Sequence, residues 1–199
     1  MSSSTPIERP PGSSSLAYGR PESLSAAGLV RFILAMAIGV GIDQWTKVLA
    51  FEKLADWPAG YPFIPGWLHF RAIENHGAVF GIAQGQRLLF VVVSIAAIAF
   101  IIHLFRCSGR QWLYQIVLGM LLAGVLGNLY DRLAFGYVRD MIYALPDRRI
   151  FGREIFPWIF NVADSLLCVG VGFMMLHSLF HSPQRHSSAG AGAKASVQE

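Results

Sequence analysis

Asp140 closes the run Gly136-Tyr137-Val138-Arg139-Asp140, and Asp164 lies in Phe160-Asn161-Val162-Ala163-Asp164-Ser165, near the start of an apolar stretch. A carboxylate in or beside a bilayer costs about 2.5 to 3.5 kcal/mol even on the lenient insertion scale, so such residues are kept for a purpose. The chemistry open to them is proton transfer. Two carboxyls held close cannot both ionise cheaply; they share a proton and offer an acid and a base at one pH.

Other polar residues fall on the same helical rows as small ones. Residues four apart share a helix face, and small residues at that spacing let two helices approach closely. One row runs Gly119, Ala123, Gly127, Asp131 and another Ala35, Gly39, Asp43, Lys47, so each passes from close packing into charge, and Asp43 can pair with Lys47 within its helix. The neighbouring row Gly124, Asn128, Arg132 adds an amide and a guanidinium, and the row Asp164, Cys168, Gly172 repeats the pattern one turn after Asn161. A lone buried polar group is usually a helix-packing hydrogen bond, but three spans bringing such groups to one depth point to a site.

Composition supplies the bilayer. With 54% hydrophobic and 14% charged residues, the chain is too apolar for an ordinary soluble domain of its length. The formal charge of +4 is small and spread along the chain, which gives no support to a nucleic-acid partner. Cys107 and Cys168 are too far apart to read as a disulfide framework.

Four apolar segments, 29–51, 88–105, 112–130 and 156–180, each approach the roughly 20 residues that cross a hydrocarbon core. An even number of crossings puts both termini on one side and the two long connections on the other. The first long connection interleaves Pro58, Pro62 and Pro65 with Trp57, Tyr61, Phe63, Trp67 and Phe70, which excludes a long helix and predicts a short strand in an interfacial aromatic belt. The expected fold is therefore all-α integral membrane, four transmembrane helices with a small β-rich loop region between the first two. Residues 1–27 and 183–199 read as disordered tails flanking a membrane domain over 28–182, and the first tail is too polar for a signal peptide. Lys and Arg are nearly balanced between the two sides, so charge leaves orientation open.

Five blocks occur in order along the chain: Asp43-Gln44-Trp45-Thr46-Lys47, Asn75-His76-Gly77-Ala78-Val79-Phe80-Gly81, Gly127-Asn128-Leu129-Tyr130-Asp131-Arg132, Gly136-Tyr137-Val138-Arg139-Asp140, and Phe160-Asn161-Val162-Ala163-Asp164-Ser165. Together they resemble lipoprotein signal peptidase, also called signal peptidase II, a family of bacterial membrane aspartyl proteases. The resemblance implies a catalytic pair, Asp140 and Asp164, with supporting roles for Asp43, Lys47, Asn75, Gly77, Asn128, Asp131, Arg132, Asn161 and Ala163. It implies a prolipoprotein substrate whose cysteine already bears diacylglycerol, with cleavage just before that cysteine. It also implies a multi-pass protein of the bacterial inner membrane, termini cytoplasmic and active site toward the periplasm. Two carboxyls need no metal or other cofactor for this reaction, and the protein is expected to work as a monomer among membrane lipids. Two departures from the family pattern stand out: a longer segment from Met141 to Ile159, and Val79 where a second alanine is common.

Rival readings remain at this point. Asp131 competes for a catalytic place, although its setting between Asn128 and Arg132 favours an ion-paired structural role. A proton-coupled transporter would also place acids and an arginine inside helices, but four spans without an evident inverted repeat count against it. A non-catalytic scaffold could use the small-residue row for association alone. His177 and His181, four apart, read as an interfacial pair rather than metal ligands, and Cys168 as an inert packing thiol.

Overall fold

The computed structural model describes residues 25–77, 85–146 and 148–180. Residues 1–24 of the first expected tail, the whole of the second, the segment from Ala78 to Gln84, Asp147 and His181 lie outside the described residues. Among the described residues, four helices are long and apolar enough to cross a membrane: α1 (Ala26–Lys53), α2 (Arg87–Arg106), α3 (Trp112–Ala134) and α4 (Val162–Phe180).

α1 begins at Ala26, inside the stretch expected to be tail, because the Ser25 hydroxyl accepts the Gly28 N–H at 3.0 Å and caps the first turn. α3 is the central helix, packed against the other three. Its small-residue row meets the small-residue row of α1. A Cβ on Gly119 would sit 2.5 Å from the Phe32 carbonyl oxygen, one on Gly39 would sit 2.6 Å from Cβ of Ala123, and one on Gly127 would overlap the Asp43 carboxylate. The two backbones therefore approach closely along their whole contact and end in charge. Phe32 and Phe105 stack with ring centroids 4.1 Å apart in the apolar core around Leu118, Leu121 and Leu122. Leu34, Ile38, Trp45, Val92, Phe100, Val169 and Leu179 are exposed on the outer helix faces, as side chains solvated by lipid would be.

The chain is not all-α. An antiparallel sheet is built from β1 (Tyr61–Ile64), β2 (Leu68–Asn75), β3 (Val138–Ala144) and β6 (Ile159–Phe160), in the order β1-β2-β3-β6. Both long connections contribute strands, so the sheet is not confined to the connection between the first two spans. The fourth span also starts later than its apolar run: Pro157 disfavours helix, Ile159 and Phe160 pair with Tyr143 and Ile142, and Asn161 then starts α4. Asp140 stands in the strand β3. Within the segment from Met141 to Ile159, β4 (Arg149–Ile150) and β5 (Arg153–Glu154) form a hairpin that turns through Phe151 and Gly152, both at positive φ.

Gly136 makes the return from α3 possible. At φ 86° it occupies the left-handed position just past the helix end, which turns the chain back so that β3 starts beside the last turn of α3.

Candidate active site

Asp140 and Asp164 come from different elements, the strand β3 and the first turn of α4. Asn161 bridges them. Its side-chain Nδ2 donates to Asp140 Oδ1 at 2.7 Å, and its backbone N–H donates to Asp164 Oδ2 at 3.1 Å. Its Oδ1 accepts the Asp164 backbone N–H at 2.9 Å, so Asn161 and Asp164 cap the helix reciprocally. The local sequence Asn-x-x-Asp thus starts α4 and fixes the Asp164 carboxylate in one step.

Two further asparagines complete the cradle. Asn75 Nδ2 donates to Asp140 Oδ2 at 2.8 Å, and Asn128 Nδ2 donates to Asp164 Oδ1 at 2.8 Å. The orientation of each amide follows from a partner that can only donate: the Gly77 N–H to Asn75 Oδ1 at 2.9 Å, the Lys47 ammonium to Asn128 Oδ1 at 3.1 Å, and the Asp164 N–H to Asn161 Oδ1. All three therefore turn their NH₂ groups toward the carboxyls. Asn75 reaches Asp140 diagonally, because Asp140 lies opposite Ile73 and the β2–β3 register shifts between Phe70 and Ile73.

Behind this cradle lies a buried ionic cluster. Lys47 Nζ sits 2.8 Å from Asp43 and 3.2 Å from Asp131, all three side chains fully buried. Asp43 Oδ1 also accepts the Ala163 N–H at 2.9 Å, which ties α1 to the first turn of α4. This N–H is the role the structure gives Ala163, whose own side chain is buried against the position of Gly127. Asp131 is wholly engaged: Oδ2 takes Lys47 and the Arg139 N–H at 3.0 Å, and Oδ1 takes the Arg139 guanidinium at 2.8 Å. Arg132 donates to the Gly77 carbonyl at 3.3 Å and stands over the Phe90 ring. Gly77 is buried beside the start of the segment outside the described residues.

Burial, and behind it the charge of Asp164, pushes the Asp140 carboxyl from the usual 3.8 up to about 7; amide hydrogen bonds from Asn75 and Asn161 pull the other way. An acid that keeps its proton near neutrality is thus linked through Asn161 to a second carboxyl whose charge acts on it. Among the described residues, no buried side-chain nitrogen or oxygen lacks a partner, and no group of three or more His, Cys, Asp or Glu is arranged to hold a metal.

The sequence of the chain matches the family model for signal peptidase (SPase) II over residues 35–180. The chain belongs to this family. It is 37% identical to a lipoprotein signal peptidase of Caldanaerobacter subterraneus over 72% of its length and 94% of the relative's. It is 34% identical to one of Anoxybacillus flavithermus over 79% and 90%. A solved structure described as a bacterial membrane enzyme superposes with a TM-score of 0.70 at 27% identity, covering 87% of this chain and all of the other.

Membership of the signal peptidase II family makes the chain an aspartic-type protease of a multi-pass bacterial membrane protein class, and sets the transporter and scaffold readings aside. Of the row Asp164, Cys168, Gly172, only Asp164 belongs to the site. Cys168 is exposed and Gly172 has open space around it; α4 instead packs Leu167 against the position of Gly124, and Gly170 against Leu121. Two residues inside the family blocks were not singled out in sequence, Gln44 and Arg139. Arg139 counted only as one charge of a long connection, and nothing short of the β3 register tells that it turns inward.

Proposed function

We propose that this signal peptidase II removes the signal peptide from diacylglyceryl-modified prolipoproteins, cutting before the lipidated cysteine with Asp140 and Asp164 as the catalytic pair. The observation that carries the reading is the convergence of three oriented asparagine amides on two carboxyls from different elements, one of which holds its proton to about pH 7.

In the reaction, Asp164 takes a proton from a water molecule while the hydroxyl adds to the scissile carbonyl carbon. Asp140 gives its proton to the carbonyl oxygen, forming a neutral gem-diol. The C–N bond then breaks, Asp164 returns its proton to the departing cysteine nitrogen, and a gem-diol proton goes back to Asp140. Both carboxyls end as they began. The oriented amides hold them in place, so little reorganisation is needed as charge moves between them. Asp43, Lys47 and Asp131 hold α1, α3 and α4 together behind the pair, and Asp131 has a structural role. Arg132 and Gly77 line the substrate side, where an unwound peptide backbone needs polar partners.

A substrate whose signal helix and acyl chains are both lipid-soluble favours helices exposed to lipid over a water-filled cleft. The catalytic pair faces the periplasmic side of the inner membrane, with both termini cytoplasmic. Incubation of the purified protein with a prolipoprotein carrying diacylglycerol, and in parallel with its unlipidated form, tests the assignment. Cleavage of the first alone, with the new N-terminus at the modified cysteine, is expected. Equal cleavage of both contradicts the substrate assignment.

A further inference from the structure

We infer that Arg139 is a positioning residue that sets the placement of Asp140, an inference that rests on the catalytic reading of Asp140. The residue just before Asp140 is an arginine that is only 6% exposed. Arg139 binds Asp131 three times: backbone N–H to Oδ2 at 3.0 Å, Nε to Oδ1 at 3.3 Å and Nη2 to Oδ1 at 2.8 Å. Nη2 also donates to Gln44 Oε1 at 2.7 Å, and the guanidinium lies over the Phe135 ring at 4.5 Å. Gln44 in turn donates to Asp43 at 3.0 Å and to the Gly127 carbonyl at 3.2 Å.

The backbone next to Asp140 is thereby fixed to α1 and α3 at once. Successive side chains of a strand point to opposite faces, so Arg139 on one face of β3 and Asp140 on the other are coupled rigidly through one peptide unit. Elsewhere β3 is held by sheet hydrogen bonds to β2, whose register slips nearby. A buried ion pair adds little stability over an apolar replacement of similar volume. What a planar fork with two acceptors does supply is direction. Arg139 also balances the cluster, setting two cations, Lys47 and Arg139, against Asp43 and Asp131. Charge balance and positioning make different predictions.

Arg139→Lys keeps the charge and one contact to Asp131 but cannot span Asp131 and Gln44 together. Arg139→Met loses the charge and both side-chain anchors and keeps only the backbone N–H to Asp131, whereas Gln44→Leu removes the second anchor together with Gln44's own bonds to Asp43 and the Gly127 carbonyl. Steady-state kinetics on the lipidated substrate, normalised to the folded fraction, should show kcat down by about ten- to a hundredfold in Arg139→Lys, with KM within about twofold, since a misplacement of about 1 Å costs a reaction up to about a hundredfold. Gln44→Leu should show a smaller loss of the same kind. Wild-type kcat in folded Arg139→Lys overturns the inference, even if Arg139→Met fails to accumulate. Asp140→Asn, assayed alongside, keeps the two ideas apart: turnover in that variant defeats the catalytic reading itself, whereas an inactive Asp140→Asn with a fully active Arg139→Lys defeats only the positioning role.

Discussion

Lys47 holds Asn128 in the one orientation that serves Asp164. Its ammonium, 3.1 Å from Asn128 Oδ1, forces the amide to present Nδ2 to the Asp164 carboxylate at 2.8 Å, while the same ammonium joins Asp43 and Asp131. A residue of α1 thus controls a hydrogen bond between α3 and α4. Lys47→Met should cost about 3 to 5 kcal/mol, because it leaves two buried carboxylates short of a counter-ion. Thermal unfolding in detergent reads this directly.

Asn161 should show a different balance of effects. Removing a helix cap costs about 0.5 to 2 kcal/mol. Asn161→Ala also releases the Asp140 carboxyl at one oxygen, so its kcat should fall by far more than its stability loss explains, by about a hundredfold. Loss of stability with unchanged kcat per folded molecule would show that the cap is all Asn161 provides.

Gly127→Ala tests the close approach of α1 and α3. The added methyl overlaps the Asp43 carboxylate, which is engaged with Lys47, Gln44 and the Ala163 N–H and so cannot step aside freely. Overpacking of this kind costs about 1 to 3 kcal/mol. Gly172→Ala, inside α4 with open space around it, should instead leave the melting temperature unchanged or raise it slightly, since alanine is the better helix former.

The Asp140 carboxyl gives a pH signature with a definite sign. Its proton leaves at about 7 in the folded protein against 3.8 for a free carboxyl, so the folded state binds more protons between those values and the contribution to stability is lost as pH rises through them. Asp140→Asn, which mimics the protonated form, should melt near wild type at pH 4 and above it at pH 8. The kcat of the wild-type enzyme should fall on the alkaline side as the acid loses its proton. A melting difference that grows toward low pH would reverse the assignment.

Much of this arrangement was legible in residue types and spacing. The rows Gly119-Ala123-Gly127-Asp131 and Ala35-Gly39-Asp43-Lys47 face each other because a period of four is inherent in a helix, and the structure brings Asp43, Lys47, Asp131, Asn128 and Asn161 together at one end of the bundle. Strand pairing was less legible. An apolar run such as Phe156 to Phe160 looks the same whether it continues a membrane helix or adds an edge strand to β3, and only Pro157 and Asn161 mark the boundary. Arg139 was missed for a related reason, since the face a strand residue occupies depends on register, and here the register is set by contacts far apart in the chain.

Cleavage of a diacylglyceryl-modified prolipoprotein by purified Asp140→Asn and Asp164→Asn proteins, each first shown to be folded by its melting transition, puts the paired-carboxyl mechanism to the hardest test. Both variants should remain in the membrane fraction, unfold cooperatively and yield no cleaved product over the background without enzyme. Product formed at a rate near that of the unaltered protein, in either variant, would contradict it.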